Sequence, residues 1–233
     1  MNTTYLTTLV CSLFVWITLF GVSNWIEYRI RGVFLGTSST SSLGGALLNC
    51  LLIVVVSPVL LLDFSLMQPS TVAIHQFLVF QIGFFVAHSM VSILSTDPRK
   101  DELFHHTLAI VALSIPAVTG SMGGAILLVL FLSELSFCFY LTHFFKSIEQ
   151  QAAANISWIA FKWVFTIVRL VVVPVCSYFI FVDPHTTFVI QALVILFNGL
   201  NVYWMERMWR KQQPANSAVK VEEDVVEAVV VGV

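Results

Sequence analysis

Seven stretches of about 20 mainly apolar residues follow one another along the chain. A helix rises about 1.5 Å per residue and the hydrocarbon core of a bilayer is about 30 Å thick, so each stretch is long enough to span it. Backbone groups find no water in lipid, which favours helices, and the period-2 alternation of a membrane β-barrel is absent. The pattern predicts an all-α, multi-span membrane protein with seven transmembrane helices, at about 5–24, 44–62, 72–95, 103–119, 123–145, 158–182 and 187–206.

The composition agrees with this prediction and excludes several classes of protein. Of the 233 residues, 58% are hydrophobic and 10% are charged, a balance outside the range of soluble domains. No basic patch supports nucleic-acid binding. The four cysteines lie within the predicted spans and lack CxxC spacing, which argues against disulfides and zinc. Six scattered histidines cannot supply the arrays of a membrane di-iron desaturase. We therefore expect no metal site and no tightly bound cofactor.

The distribution of Lys and Arg predicts the orientation in the membrane. If the N-terminus is lumenal, the cytosolic side collects every basic residue outside the spans and the lumenal side collects none. Lys162 and Arg169 are the two that remain, because both fall within the sixth span. The count predicts an odd number of spans and a cytosolic C-terminus. The cytosolic set is Arg29, Arg31, Arg99, Lys100, Lys146, Arg207, Arg210, Lys211 and Lys220.

Charged groups within the spans are expected to face the interior of the bundle, because hydrocarbon does not solvate them. Glu134 and Arg169 each lie about 11 residues from the cytosolic end of their spans, so their depths match. We expect a contact between them, direct or through water, since either charge buried alone would cost more than the pair. The alternative role for this pair is structural: a static ion pair that fixes the register of the two helices.

Other polar side chains share helix faces at spacings of seven residues. Lys162 lies on the same face of the sixth span as Arg169, and His88 on the same face of the third as Gln81. Asn201 belongs to a polar face of the seventh span. Polar residues within spans can also hold helices together without any further function. For each of these polar side chains, that structural role is the alternative to a role in binding.

The fourth span opens with two consecutive histidines, His105 and His106. Consecutive residues on a helix diverge by about 100°, so one ring can face a cavity while the other supports it. Inward polar groups on several helices predict a cavity open to the cytosolic leaflet, which suits a lipid or acyl chain. The alternative is that both histidines reach the membrane interface or cap the helix.

Four segments, in order and spacing, resemble the TLC-domain family, whose best understood enzymes are the ceramide synthases. They are HHTLAIVAL from His105, SELSFCFYLTHFF from Ser133, FTIVRLVVVPV from Phe165 and LNVYWMERM from Leu200. The resemblance covers roughly residues 75 to 208. It implies a six-helix TLC barrel around a central cavity, with one additional span before it. The implied domains are an N-terminal span with its cytosolic connection at 1–35, the TLC domain at 36–212 and a flexible cytosolic tail at 213–233.

The resemblance also implies an activity and the residues that carry it. In the synthases the paired histidines are essential for transferring an acyl chain from acyl-coenzyme A to a sphingoid amine. His105 and His106 match that pair, and Glu134 takes the place of the first acid in a downstream motif. Matches at later family positions are Arg169, Pro174, Asn201 and Trp204.

The chain departs from the synthases at informative positions. The synthases carry His-Asp and a second Asp three residues on, where this chain has Ser133, Glu134 and Phe137, and their Thr after the histidine pair is Ala109 here. SELSFCF resembles instead the smaller TLC-domain proteins. Their members are tied to phospholipid composition, ceramide levels or export of cargo from the endoplasmic reticulum, and are not uniformly enzymes.

Two classes of function therefore stay open. As an enzyme, the protein would transfer an acyl group, with His105 or His106 as the base or acyl acceptor, Glu134 tuning the site and Arg169 holding Glu134. As a non-catalytic protein, it would hold a sphingolipid or phospholipid and regulate membrane composition, or act as a cargo receptor. The residues expected to contact the substrate are Arg169, His88, Asn201, Lys162 and Trp204, with Lys162 near the phosphates of coenzyme A.

These two predicted functions imply binding partners and a membrane location. Acyl-coenzyme A is the expected co-substrate and a membrane lipid or acyl chain the expected partner, with no nucleic acid. The sequence also allows a homodimer. The endoplasmic reticulum is the expected membrane, with the N-terminus lumenal and the C-terminus cytosolic.

Overall fold

The computed structural model describes residues 3–31, 40–62, 71–94, 100–120, 122–139, 150–183 and 186–210, and every regular element in those ranges is helical. The predicted all-α, multi-span fold class is confirmed. The helices are α1 (Thr3–Arg31), α2 (Thr40–Leu61), α3 (Val72–Leu94), α4 (Lys100–Thr119), α5 (Gly123–Phe137), α6 (Gln151–Ile167), a π-helical segment (Val168–Val172), α7 (Val173–Val182) and α8 (Phe188–Arg210).

Each predicted span overlaps a described helical stretch. Five described stretches are long and apolar enough to cross a bilayer, and two shorter apolar helices accompany them. The chain is therefore an integral, multi-pass membrane protein. The long stretches are Thr3–Ser23, Val72–Leu94, Lys100–Thr119, Gln151–Val182 and Phe188–Arg210, and the shorter ones are Gly45–Leu61 and Gly123–Phe137.

Three boundaries differ from the prediction by about two helical turns, and the first is the end of α1, which runs to Arg31 where the prediction had 24. The sixth helix begins at Gln151, before the predicted start at 158. Hydropathy marks the part of a helix that lies in lipid, whereas the preceding segment, with three alanines, continues the helix without being apolar throughout. The fifth span was predicted to reach 145, and α5 ends at Phe137. Residues 140–149 lie outside the described part of the chain.

Large apolar side chains cover the outside of the bundle. Phe14 is 74% exposed, Val55 is 67% exposed and Phe188 is 82% exposed. In water, each exposed square ångström of apolar surface costs about 25 cal/mol, whereas lipid tails are as apolar as these side chains. The surface is therefore suited to contact with hydrocarbon.

Helix α1 packs closely along α3. A Cβ atom at Gly83 would lie 2.2 Å from Ser12 Oγ, so the glycine allows the two helices to approach. Further along the same contact, Trp16 is buried with its ring centroid 5.0 Å from that of Phe84. This contact fixes the position of α3, which carries His88.

A π-helical turn interrupts the long helix that begins at Gln151. Pro174 has no N–H and cannot donate to the carbonyl of Leu170, four residues earlier, so the α-helical pattern is broken at this place. The widened turn covers Val168–Val172. Arg169 lies in this turn and is buried, 4% exposed. The turn thus presents a charged side chain to the bundle from an otherwise apolar helix.

One end of the bundle carries several charged residues. Asp101, in the first turn of α4, accepts hydrogen bonds from Arg207 Nη1 at 2.9 Å and from Trp204 Nε1 at 3.2 Å, both in α8. Arg210 pairs with Glu206 in the last turns of α8. We call this the basic end of the bundle. Helix α4 begins there, so its two histidines lie within about 10 Å of that end.

Candidate functional site

His106 faces α3 and is 3% exposed. Its Nδ1 lies 3.1 Å from the hydroxyl of Ser89. That hydroxyl donates its only hydrogen to the carbonyl of Phe85 at 2.7 Å, so it must accept the hydrogen bond from His106. Nδ1 therefore carries the proton of the neutral ring. The lone pair lies on Nε2, which is the nitrogen that can act as a base, nucleophile or metal ligand.

A histidine from α3 and a carboxyl group from α4 lie beside His106. The ring centroids of His88 and His106 are 4.7 Å apart, and His88 Nε2 is 3.4 Å from Glu102 Oε1. One ligand atom from each of the three residues lies within 4.8 Å of the other two. Glu102 and His106 are four residues apart and share a face of α4. We call His88, Glu102 and His106 the His–Glu–His cluster.

Aromatic rings hold His88 in this cluster. Phe20 of α1 stacks on the His88 ring with centroids 5.3 Å apart and an interplanar angle of 14°. Phe84 lies 5.4 Å from the same ring. The His88 side chain is 6% exposed and that of Glu102 is 21% exposed, so the cluster is largely shielded from water but open on the side of the carboxyl group.

His105 turns towards α8, away from the His–Glu–His cluster. Its ring centroid lies 4.9 Å from Trp204 in an edge-to-face contact, 6.2 Å from Phe197 and 5.9 Å from Phe85. His105 Nδ1 is buried and has no hydrogen-bond partner among the described residues. Phe85 also contacts the His106 ring. The two histidines diverge, as consecutive helical residues must, and both face the interior.

Trp204 connects this aromatic pocket to two charged groups. Its Nε1 donates to Asp101 at the basic end, and its ring lies 5.8 Å from Arg169 Cζ. The hydrogen bond fixes the plane of the indole against His105. Trp204 therefore contacts both His105 and the guanidinium of Arg169.

Arg169 joins α5 to α8. Its Nε and Nη2 donate to the carbonyl of Ser133 at 3.1 and 2.8 Å, Nε also reaches Ser136 Oγ at 3.0 Å, and Nη1 donates to Asn201 Oδ1 at 3.3 Å. Among the described residues, Arg169 and Glu134 make no direct hydrogen bond or ion pair, although their charges interact electrostatically, and the expected contact through water stays a prediction. Matching depth gave the correct pair of helices. It did not give the direction of the side chains, and consecutive positions such as 133 and 134 point about 100° apart.

Glu134 bonds elsewhere. Its Oε2 accepts a hydrogen bond from the thiol of Cys50 at 2.8 Å, which connects α5 to α2. In the part of the chain that the structure describes, its carboxyl group contacts neither His105 nor His106. The structure therefore does not bring this predicted catalytic residue together with the histidine pair.

Lys162 lies between two tryptophan rings. Its ammonium is 4.8 Å from the ring centroid of Trp209, at the end of α8, and 6.0 Å from that of Trp158, one turn earlier on α6. Cations bind favourably to the faces of such rings. Trp209 also donates to Thr166 Oγ1 at 3.3 Å. Lys162 thus lies near the basic end, outside both histidine environments.

A comparison with protein-family models decides the family. The model described as the TLC domain matches residues 14–210, which include α2 to α8 and more than half of α1. The chain belongs to the TLC-domain family. Comparisons with curated proteins and with solved structures give no match. This TLC-domain protein is a membrane protein of lipid metabolism or homeostasis.

The family membership predicted from the sequence is confirmed. The predicted boundaries of the TLC domain at 36–212 stay a prediction, as does the flexible tail at 213–233, which lies outside the described residues. The central cavity of the TLC barrel also stays a prediction.

A separate cleft of about 370 Å³ lies at the basic end and is lined by Tyr203, Glu206, Arg207 and Arg210 of α8.

Two residues of the site were missed by sequence reasoning. Glu102 follows Asp101 at the start of α4, where acidic residues commonly offset the helix dipole and need no other role. Its spacing of four residues from His106 was the signal that could have marked it. Ser89 had no such signal, because its role depends on α3 and α4 lying side by side at this height.

Proposed function

We propose that this TLC-domain protein transfers an acyl chain from acyl-coenzyme A to the amine or hydroxyl group of a membrane lipid, of the sphingolipid or phospholipid class. The observation that supports this most is the proton arrangement of His106. Ser89 holds the proton on Nδ1 and thereby keeps the lone pair on Nε2, where a general base needs it. His105 lies beside it among aromatic rings, which suit contact with an acyl chain.

The reaction is a substitution at the thioester carbonyl. The lipid amine or hydroxyl attacks the carbonyl carbon as His106 Nε2 takes its proton. A new C–N or C–O bond forms, and the C–S bond to coenzyme A breaks. The imidazolium of His106 then returns the proton to the departing thiolate, so the enzyme is restored and the products are the acylated lipid and free coenzyme A.

The remaining groups take supporting roles in this proposal. The carboxylate of Glu102 lies near His106 and favours its protonated form during the reaction, and His88 positions that carboxylate. Trp204 and Asn201 position His105 and Arg169 at the wall of the substrate site. Lys162 binds the phosphates of coenzyme A at the basic end. Glu134, which bonds to Cys50, acts on the fold of the site and not on the reacting atoms.

We place the protein in the membrane of the endoplasmic reticulum with the basic end towards the cytosol. Acyl-coenzyme A is water-soluble at its coenzyme end, so it would enter from that side. A homodimer stays a prediction, and none of these steps requires one.

The position of Glu134 favours a second candidate function, lipid binding without catalysis. Glu134 stands where the synthases carry an acid of their active-site motif, yet its carboxyl group contacts neither histidine. A lipid-binding protein without catalysis would need no such contact. In that role the chain would hold a lipid and regulate membrane composition, or act as a cargo receptor in the endoplasmic reticulum.

Reconstituted full-length protein tests the proposal. Proteoliposomes would receive labelled acyl-coenzyme A together with a sphingoid base or a lysophospholipid, and acylated lipid would be measured over time. We expect transfer by the wild type and a loss of at least about a hundredfold in His106→Ala, the lower range for a general base.

His75→Ala is the matched control. His75 is also a buried histidine of α3, but it bonds to Tyr5 near the opposite end of the bundle, so its replacement should leave transfer intact. No transfer by folded wild type with any of these lipids, or full transfer by His106→Ala, would contradict catalysis and favour the lipid-binding function.

A further inference from the structure

We propose that the His–Glu–His cluster is a binding site for a divalent transition-metal ion of the zinc class. This inference does not rest on acyl transfer and departs from the expectation of no metal site drawn from the sequence. It stands on three groups from two adjacent helices, namely His88 on α3 and Glu102 and His106 on α4, with mutual ligand-atom separations of at most 4.8 Å.

The donor set fits such an ion. Imidazole nitrogen together with a carboxylate oxygen is a common ligand combination for zinc, and two histidines with one carboxylate also bind iron(II) and related ions. Hard ions such as Mg²⁺ and Ca²⁺ prefer oxygen ligands alone, so they fit this cluster poorly. Three protein ligands leave a fourth position open for water or another small ligand.

The distances fit as well. Zinc bonds of about 2.0–2.1 Å at tetrahedral angles place neighbouring ligand atoms about 3.3 Å apart. His88 Nε2 and Glu102 Oε1 are 3.4 Å apart, close to that spacing. The largest separation in the cluster is within 4.8 Å, so closure around an ion needs a shift of about 1.5 Å, which side-chain rotation can supply.

The surroundings of the cluster resemble the outer shell of a metal site. Metal-ligating histidines usually donate their second N–H to an oxygen, which fixes the ring and its tautomer. His106 does so to Ser89 Oγ, and its lone pair lies on Nε2. Phe20 and Phe84 pack against His88 and limit its rotation. The partly exposed carboxyl group of Glu102 gives an ion a route from water.

Metal binding has a consequence for the proposed reaction. An ion bound to His106 would occupy the same lone pair that a general base uses. The ion and the base role therefore exclude each other on this residue. If the proposed function holds, zinc inhibits transfer, and if it fails, the metal site is unaffected.

Cobalt(II) titration of the purified, chelator-treated full-length protein in detergent tests the site. Tetrahedral Co²⁺ has strong visible ligand-field absorption, so we expect one ion per chain to give such a spectrum and stoichiometric Zn²⁺ to abolish it. Glu102→Gln and His88→Ala should each weaken binding at least about a hundredfold, because even loss of an outer-shell partner costs 10–100-fold.

Three variants serve as controls. Asp101→Asn changes the neighbouring carboxyl group, which bonds to Trp204 and Arg207, and should retain the cobalt spectrum. His75→Ala should also retain it. His105→Ala should retain metal binding but lower acyl transfer, because His105 lines the proposed substrate site, so the two proposals can fail separately. Absence of the spectrum in folded wild type, or equal affinity in Glu102→Gln and His88→Ala, would overturn the metal site.

Discussion

The hydroxyl of Ser89 determines which nitrogen of His106 can act on a ligand. It donates to Phe85 within its own helix and so has only a lone pair to offer the imidazole. A backbone carbonyl, a serine and a histidine thus form a short chain of hydrogen bonds with a fixed direction. In the proposed reaction, the side chain at 89 would therefore act as a positioning residue for His106.

Ser89→Ala tests this control. Without the acceptor, the His106 proton can move to Nε2 and the ring can rotate, so we expect kcat for acyl transfer to fall about tenfold with little change in KM, and cobalt affinity to fall about tenfold. Ser114→Ala is the control, because Ser114 donates to Ile110 in α4 by the same type of bond and bonds to no histidine among the described residues. Equal effects in the two variants would contradict the role of Ser89.

Arg169 shows what sequence reasoning can and cannot give at this scale. Its burial was predictable, because a charge in a span must turn inward, and the helix that faces it was predictable from depth. The group that accepts the hydrogen bonds of the guanidinium was not predictable. The guanidinium bonds to the Ser133 carbonyl, a backbone atom that every residue possesses and that leaves no trace in the sequence.

At the scale of elements, the contact of α1 with α3 rests on one small residue facing another. A Cβ at Gly83 would lie 2.2 Å from Ser12 Oγ and 3.2 Å from the backbone nitrogen of Leu13. Ser12 Oγ also donates to the Phe80 carbonyl at 2.5 Å. Close approach of this kind is how membrane helices gain van der Waals contact, since lipid provides no hydrophobic driving force between them.

Gly83→Ala should therefore destabilise the protein by about 1–3 kcal/mol, the usual cost of overpacking. Thermal unfolding in detergent measures it. Gly199→Ala is the control, because a Cβ there meets nothing within 4 Å, and alanine in that helix should be neutral or stabilising by up to about 1 kcal/mol. Ser12→Gly in the Gly83→Ala background should recover part of the loss. Unchanged unfolding of Gly83→Ala would show that the helices can separate without cost.

The helices themselves were predictable because a bilayer leaves the chain few alternatives. Each backbone group must bond within its helix, and the hydrocarbon thickness sets the length of the apolar segment. The π-helical turn at Val168–Val172 was not predicted, although Pro174 marks the place where an α-helical bond is missing. The pairing of α1 with α3 was not predictable, since hydropathy does not say which helices are neighbours.

At the scale of the whole molecule, the contacts between α1 and α3 show in which direction these two helices run relative to each other. Tyr5 contacts His75 near the start of both helices, and Phe20 contacts His88 further along both, so the two helices run parallel. The start of α1 therefore lies away from the basic end, where α8 finishes. The His–Glu–His cluster lies near the basic end, within reach of water-soluble ligands on that side.

The two termini should consequently lie on opposite sides of the membrane, with the C-terminus in the cytosol because the basic end carries the excess of Lys and Arg. Glycosylation mapping in microsomes measures this. A sequon-bearing extension fused before Met1 should be glycosylated in the lumen, and the same extension fused after Val233 should not. The paired fusions control for each other, since only the position of the tag differs. Glycosylation of both or of neither would contradict an odd number of spans. Glycosylation of the C-terminal tag alone would place the basic end, and with it the histidines, on the lumenal side, away from cytosolic acyl-coenzyme A.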